Sequence, residues 1–120
     1  ELIAKVAAEG KEKFLDEQFA ATASLYPLPP EGETAMAPYQ RLFYHYGVHR
    51  PDQLRQRVGF ALGQILVVSA ATLGQSPQMV PYINLLQSRA FGNYRDLLIE
   101  VSLSPAMGDY LDNVNNQKPN

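Results

Sequence analysis

The chain has 120 residues, 46% of them hydrophobic, with a formal net charge of −2 and no cysteine. That is enough to bury one core and is too apolar for a disordered segment. The charge excludes a concentrated basic surface for nucleic acid or for a membrane-lying helix, and the missing cysteines exclude a disulfide scaffold or a thiolate zinc site.

Leu2, Ile3 and Val6 open a helical pattern that Gly10 stops. Lys11 to Ala21 resumes it, with Phe14, Leu15 and Phe19 on one side and charges on the other. From Tyr26 to Pro38 the composition changes: Pro27, Pro29, Pro30, Gly32 and Pro38 predict a loop, since proline lacks a donor and restricts its neighbours. Tyr39, Leu42, Phe43 and Tyr46 then form one helical stripe, ending near His49.

Pro51 and Asp52 suit the first turn of the next helix, the proline for its missing N–H and the aspartate for its charge. Leu54, Val58, Ala61, Ile65 and Val68 follow on one face, and Phe60, Leu62, Leu66 and Val67 cover most of the rest. A helix apolar nearly all round is enclosed by others. It is therefore expected to be the buried central helix, over about 51–72, and too short to span a bilayer. Gly59 and Gly63 share a face and predict close intramolecular packing.

Gly74 to Pro77 breaks the chain, with Ser76 expected as cap to a helix carrying Met79, Ile83, Leu86 and Ala90. Gly92 stops it, and Asn93 caps a helix with Tyr94, Leu97, Leu98 and Val101 on one stripe. Ser104-Pro105 opens a last helix with Met107, Tyr110, Leu111 and Val114. No hairpin signal and no repeat interrupts this series. The expected fold is all-α, an irregular bundle of six or seven helices. It divides into a helical hairpin (1–25), a Pro-rich loop (26–38), a helical core (39–114) and a polar tail (115–120) that leads to a further C-terminal part.

The candidate chemistry is sparse. His45 and His49 are four apart, a metal-binding spacing, but no glutamate follows His45 and Gly47 weakens the helix between them; surface histidines are the expectation. No serine sits in a nucleophile elbow. Asp109 and Asp112 are expected on a solvated face, and Tyr94 and Tyr110 in packing roles. Arg55 and Arg57 enter the apolar run, while Arg89 and Arg95 flank the turn at residues 90–93, near Asp96 and Glu100. Arginine forks bind carboxylates or phosphates, so these groups either tie helix ends together or bind an anion or partner. The candidate site set is Arg55, Arg57, Arg95, Asp96 and Asn116. No cofactor or metal is expected.

Two long segments carry a resemblance. Residues 52–69, DQLRQRVGFALGQILVVS, and 90–111, AFGNYRDLLIEVSLSPAMGDYL, are similar in order to the large bacterial family known as domain of unknown function 1800. Phe14-Leu15-Asp16-Glu17-Gln18-Phe19 resembles that family's W-L-D-E-Q-F segment, and Asn116-Gln117-Lys118 its following turn. The resemblance implies a longer helical, exported protein, periplasmic or secreted, that continues into an acidic helix; it implies no activity. The expected role is a structural or interaction module of such a protein, its partners being the remainder of its own chain or other protein subunits. The alternative is part of an enzyme whose site is shared between Arg55–Arg57, Asn93–Asp96 and residues beyond 120.

Overall fold

The computed structural model describes residues 2–113, which form eight helices and no strand. They are α1 (Leu2–Glu9), α2 (Lys11–Ala20), α3 (Ala37–His49), α4 (Gln53–Ile65), α5 (Ala70–Leu73), α6 (Ser76–Ser88), α7 (Tyr94–Ser102) and α8 (Pro105–Tyr110). The architecture is an irregular all-α bundle, richer in helices than expected because α5 separates from α4, while α1 and α2 part at Gly10 as expected.

Local signals set several of the boundaries. Gly10, at φ 88°, takes a conformation that disfavours a side chain and turns α1 into α2. The Asn93 side chain accepts from the N–H groups of Arg95 and Asp96 at 2.9 and 3.4 Å. Ser104 Oγ does the same for Met107 N–H at 3.3 Å, satisfying donors that a helix start leaves bare.

The core has two halves. Tyr82, Leu86, Leu97, Val101 and Ala106 form one, against Leu62, Leu66 and Met107. Tyr26, Tyr39, Tyr46 and Val80 form the other, against Met36, Leu42 and Ile83. Helix α6 contributes to both, and six of its residues are buried, whereas α4 buries only Gln56 and Gly59. The enclosed helix is therefore α6, not the stretch over 51–72. That stretch stops being helical at Ile65, and Phe60 and Ile65 stand 51% and 67% exposed. Its apolar residues are split: one side packs on α6, and the other borders an open groove. Tyr82 hydroxyl donates to Leu66 O at 2.5 Å and holds the non-helical connection to α5.

Ser76, expected as a cap, and Asp52, expected as a first-turn charge, do other work. Ser76 lies inside α6, wholly buried; its N–H donates to Thr34 O at 3.1 Å and its hydroxyl to Glu33 O at 3.2 Å. Asp52 precedes α4 but makes no capping bond to it. Both side chains hold the connection between α2 and α3 instead, Asp52 at Ser24 and Ser76 at Glu33. Tyr94, expected to pack, is 52% exposed.

Candidate functional site

The loop between α2 and α3 runs over the bundle with no partner strand, so its buried backbone groups need side chains to bond them. Asn84 of α6 pairs reciprocally with Tyr26: Tyr26 N–H donates to Asn84 Oδ1 and Asn84 Nδ2 donates to Tyr26 O, each at 2.8 Å. Asp52, with no exposed surface, accepts from Ser24 N–H at 2.8 Å. Gln56 Nε2 donates to Asp52 Oδ2 at 3.1 Å and to Ser24 O at 3.3 Å. Gln87 Nε2 donates to Gln56 Oε1 at 3.3 Å, which carries the network from α4 to α6. Gln18 adds α2: its amide accepts from Leu54 N–H at 2.9 Å and donates to Pro51 O at 3.0 Å, bonding a free donor at the start of α4.

Burial alone would push the Asp52 carboxyl up; the bonds from Ser24 and the Gln56 amide outweigh it and hold the carboxyl below its usual range. Asp52 Oδ1, Gln87 Oε1, Arg55 Nε and the Tyr26 hydroxyl are buried here without a hydrogen-bond partner. Burial, with Tyr46 and Asp52 nearby, pushes Tyr26 up to about 12. The junction joins four segments, and its chemistry is that of a neutral hydrogen-bonded clasp around one carboxylate.

Of the five sequence-predicted residues, the four described, Arg55, Arg57, Arg95 and Asp96, are not brought into one site. Arg55 lies inward: its guanidinium sits 4.5 Å from the Phe91 ring centroid and Nη1 donates to Gln87 O at 3.2 Å. That contact does link α4 to the turn after α6, as a tie between elements. Arg57 is exposed on another side of α4, beside Phe43, Gly47 and Phe60. Arg95 and Asp96 are exposed at the start of α7, with only their backbone N–H groups engaged by Asn93. Asn116 lies outside the described residues. Arg89, not in that set, pairs with Glu100. The rings of His45 and His49 are 4.8 Å apart on exposed residues, and among the described residues no group of three or more His, Asp or Glu is placed to hold a metal.

A feature that the sequence reading missed lies beside Arg57. Three neighbouring concavities share Phe43 as a wall: one of about 430 Å³ between α3, α5 and α6, and two of about 190 and 160 Å³ where α3 meets α4. The rings of Phe43 and Phe60 touch, with centroids 5.6 Å apart, and separate the concavities from one another. Met79 and Ile83 of α6 form the floor, and Tyr44, 72% exposed, stands on the rim. Both glycines of α4 border it: a Cβ added at Gly63 would stand 3.5 Å from Leu86 Cδ1, and Gly59 is covered by the Gln87 amide. The close approach expected at these glycines is intramolecular, but to side chains and not to a backbone.

The sequence pattern described as "Protein of unknown function (DUF1800)" matches residues 1–120. The chain belongs to the DUF1800 family. Neither the curated proteins nor the solved structures contain a match to it. Membership of DUF1800 assigns no chemistry, so the groove and the clasp must be judged on their own geometry. No helix among the described residues of this DUF1800 chain is long and apolar enough to cross a membrane.

Proposed function

We propose that this chain is a helical structural and interaction module of a longer, exported bacterial protein, and that the groove between α3 and α4 is its docking face. The observation that supports this reading is the aromatic lining of that groove. Phe43, Tyr44 and Phe60 stay in water, beside Met79 and Ile83 of α6. Large aromatic side chains at the mouth of an apolar depression are characteristic of surfaces that bind another protein segment. The rest of its own chain and another subunit are the partners this reading admits. Export, to the periplasm or the outside, rests on the family resemblance.

A photoreactive amino acid at Tyr44, with a second at the exposed polar position Glu12 as control, tests it in the native bacterium. Mass spectrometry of cross-linked peptides is expected to recover a defined protein segment from position 44 and none from position 12. Equal, diffuse labelling at both positions would overturn the docking role. Retention of the protein in the cytoplasmic fraction would overturn the export part.

A further inference from the structure

The connection from α2 to α3 divides at its bonds. Among the described residues, every hydrogen bond that residues 11–28 make beyond α1 and α2 reaches residues 51–84. Gln18 bonds Pro51 and Leu54, Ser24 bonds Asp52 and Gln56, and Tyr26 bonds Asn84. The Tyr26 ring also stacks on Tyr46 and the Phe19 ring sets its edge against Phe91, both with centroids 4.9 Å apart. A second anchor follows at Glu33 and Thr34, whose carbonyls accept from Ser76. Residues 29–32, between the anchors, share in none of these bonds and are exposed except for half-buried Pro29.

The link is longer than the gap that it closes. Ser76 and Asn84, which hold the two anchors, lie about 12 Å apart along α6. The chain from Tyr26 to Glu33 reaches about 23 Å when extended. The excess is folded into a turn that a single bond closes, Glu33 N–H to Pro30 O at 3.0 Å, with Gly32 at φ 81°. Pro27, Pro29 and Pro30 favour the opposite, an extended semi-rigid spacer. A short hinge bent against its own preference is the condition under which an element leaves its own chain for the same place in another.

We propose that the α1–α2 hairpin and residues 21–28 exchange between two copies of this chain, each copy's Ser24 and Tyr26 seated in the clasp of the other, with residues 29–32 as the hinge. The occupant is the one that the structure already shows in the clasp. Opening the hinge gives up one backbone bond, releases Gly32 from its positive φ and uncovers no buried side chain. Every bond to Pro51, Asp52, Leu54, Gln56 and Asn84 is remade on the second copy. Closed monomer and exchanged dimer therefore differ by the hinge and the cost of association, and the dimer grows with concentration. The walls of the Phe43 groove all come from α3 to α6 of one copy, so the exchange makes no use of the docking role given above and yields a pair with two such grooves.

The test uses the intact protein in light and heavy-nitrogen forms, each with a photoreactive phenylalanine analogue at position 19. The two are mixed, unfolded in urea and refolded at high concentration, and monomer and dimer are separated by gel filtration before irradiation. In the dimer, cross-links from position 19 to the segment around Phe91 are expected to join light peptides to heavy ones; in the monomer they should join peptides of one isotope only. Pro29→Ala combined with Pro30→Ala relaxes the hinge and should lower the dimer fraction about threefold, with circular dichroism showing the helices kept. Absence of a dimer at every concentration, or a dimer whose links from position 19 stay within one isotope, would overturn the proposal; the second result would mean two closed copies touching elsewhere. An unchanged dimer fraction in the double proline variant would overturn it as well, since the hinge would then have no part in the association.

Discussion

The side-chain amide of Gln87 lies flat on Gly59. A Cβ at position 59 would come within 2.6 Å of Gln87 Cδ, with both amide heteroatoms closer than 3 Å. Gln87 is buried and bonded to Gln56, so the amide leaves only by giving up that bond. Gly59→Ala gains up to about 1 kcal/mol of helix propensity, but crowding a packed interior costs about 1–3 kcal/mol. The expected result in urea unfolding is a net loss of about 1 kcal/mol. In a Gln87→Ala background the same change should become neutral or stabilising, a coupling that a double-mutant cycle reads directly. Gly63→Ala is the contrast: its new methyl meets Leu86 Cδ1 at an ordinary 3.5 Å, so no loss is expected.

Arg55 and Arg57, two residues apart, are expected to separate cleanly in a stability assay. Arg55 stacks on Phe91 and bonds Gln87 O, and Arg55→Ala should cost about 1–2 kcal/mol. Arg57 touches only the open groove, and Arg57→Ala should stay within about 0.5 kcal/mol. Equal losses would mean that Arg57 has a structural partner within the fold.

Two buried tyrosines make opposite predictions for the same substitution. Tyr82 donates to Leu66 O, so Tyr82→Phe orphans a carbonyl and should cost about 1 kcal/mol. The Tyr26 hydroxyl is buried with no partner, so Tyr26→Phe should be neutral or stabilising. Burial pushes both up to about 12 from an ordinary 10.0. A pKa raised in the folded state means that the stability held by the neutral phenols is complete below pH 10 and drains as pH rises toward 12. Absorbance titration should show these two ionising late, together with loss of helix; ionisation of all seven tyrosines near pH 10 with the helices intact would contradict it.

The cap at Asn93, the helix opened by Ser104-Pro105, the turn at Gly10 and the loop as far as Met36 were legible because each rests on local residue chemistry, whereas Pro38, expected in the loop, sits in the first turn of α3 where its missing N–H costs nothing. The clasp was legible only in part. Asp52, Gln56, Gly59 and Gly63 recur at helical spacing as a polar and small stripe, a pattern that marks a buried face as surely as an apolar one. Read alone, however, Asp52 looks like an ordinary charge at a helix start. What periodicity does not show is whether neighbours exist. The residues around α4 are apolar on nearly every side, yet α6 covers one side, Phe60 borders the groove and Ile65 stands in water. Arg55 and Arg57 looked like one cluster because adjacency in sequence conceals that two steps along a helix turn a side chain through about 200°.

The last prediction concerns Asp52, whose carboxylate holds Ser24 and so fastens the loop that carries α1 and α2. Its folded pKa is lowered: burial opposes the charge, but the Ser24 and Gln56 bonds win. A depressed pKa means that the carboxylate's contribution is fully present above its unfolded value of 3.8 and is lost as pH falls through the folded one. Asp52→Ala should leave buried donors on Ser24 and Gln56 unpaired and cost about 1–3 kcal/mol at pH 7. Hydrogen exchange should quicken at Ser24 and through α2 while α7 is unaffected. Asp52→Asn keeps an acceptor for Ser24 and loses the titrating group, so its deficit relative to the native chain should shrink as pH drops below 3.8. Parallel pH profiles for Asp52→Asn and the native chain, with unchanged exchange in Asp52→Ala, would show that the loop is fastened by Asn84 and Ser76 and that the carboxylate is dispensable.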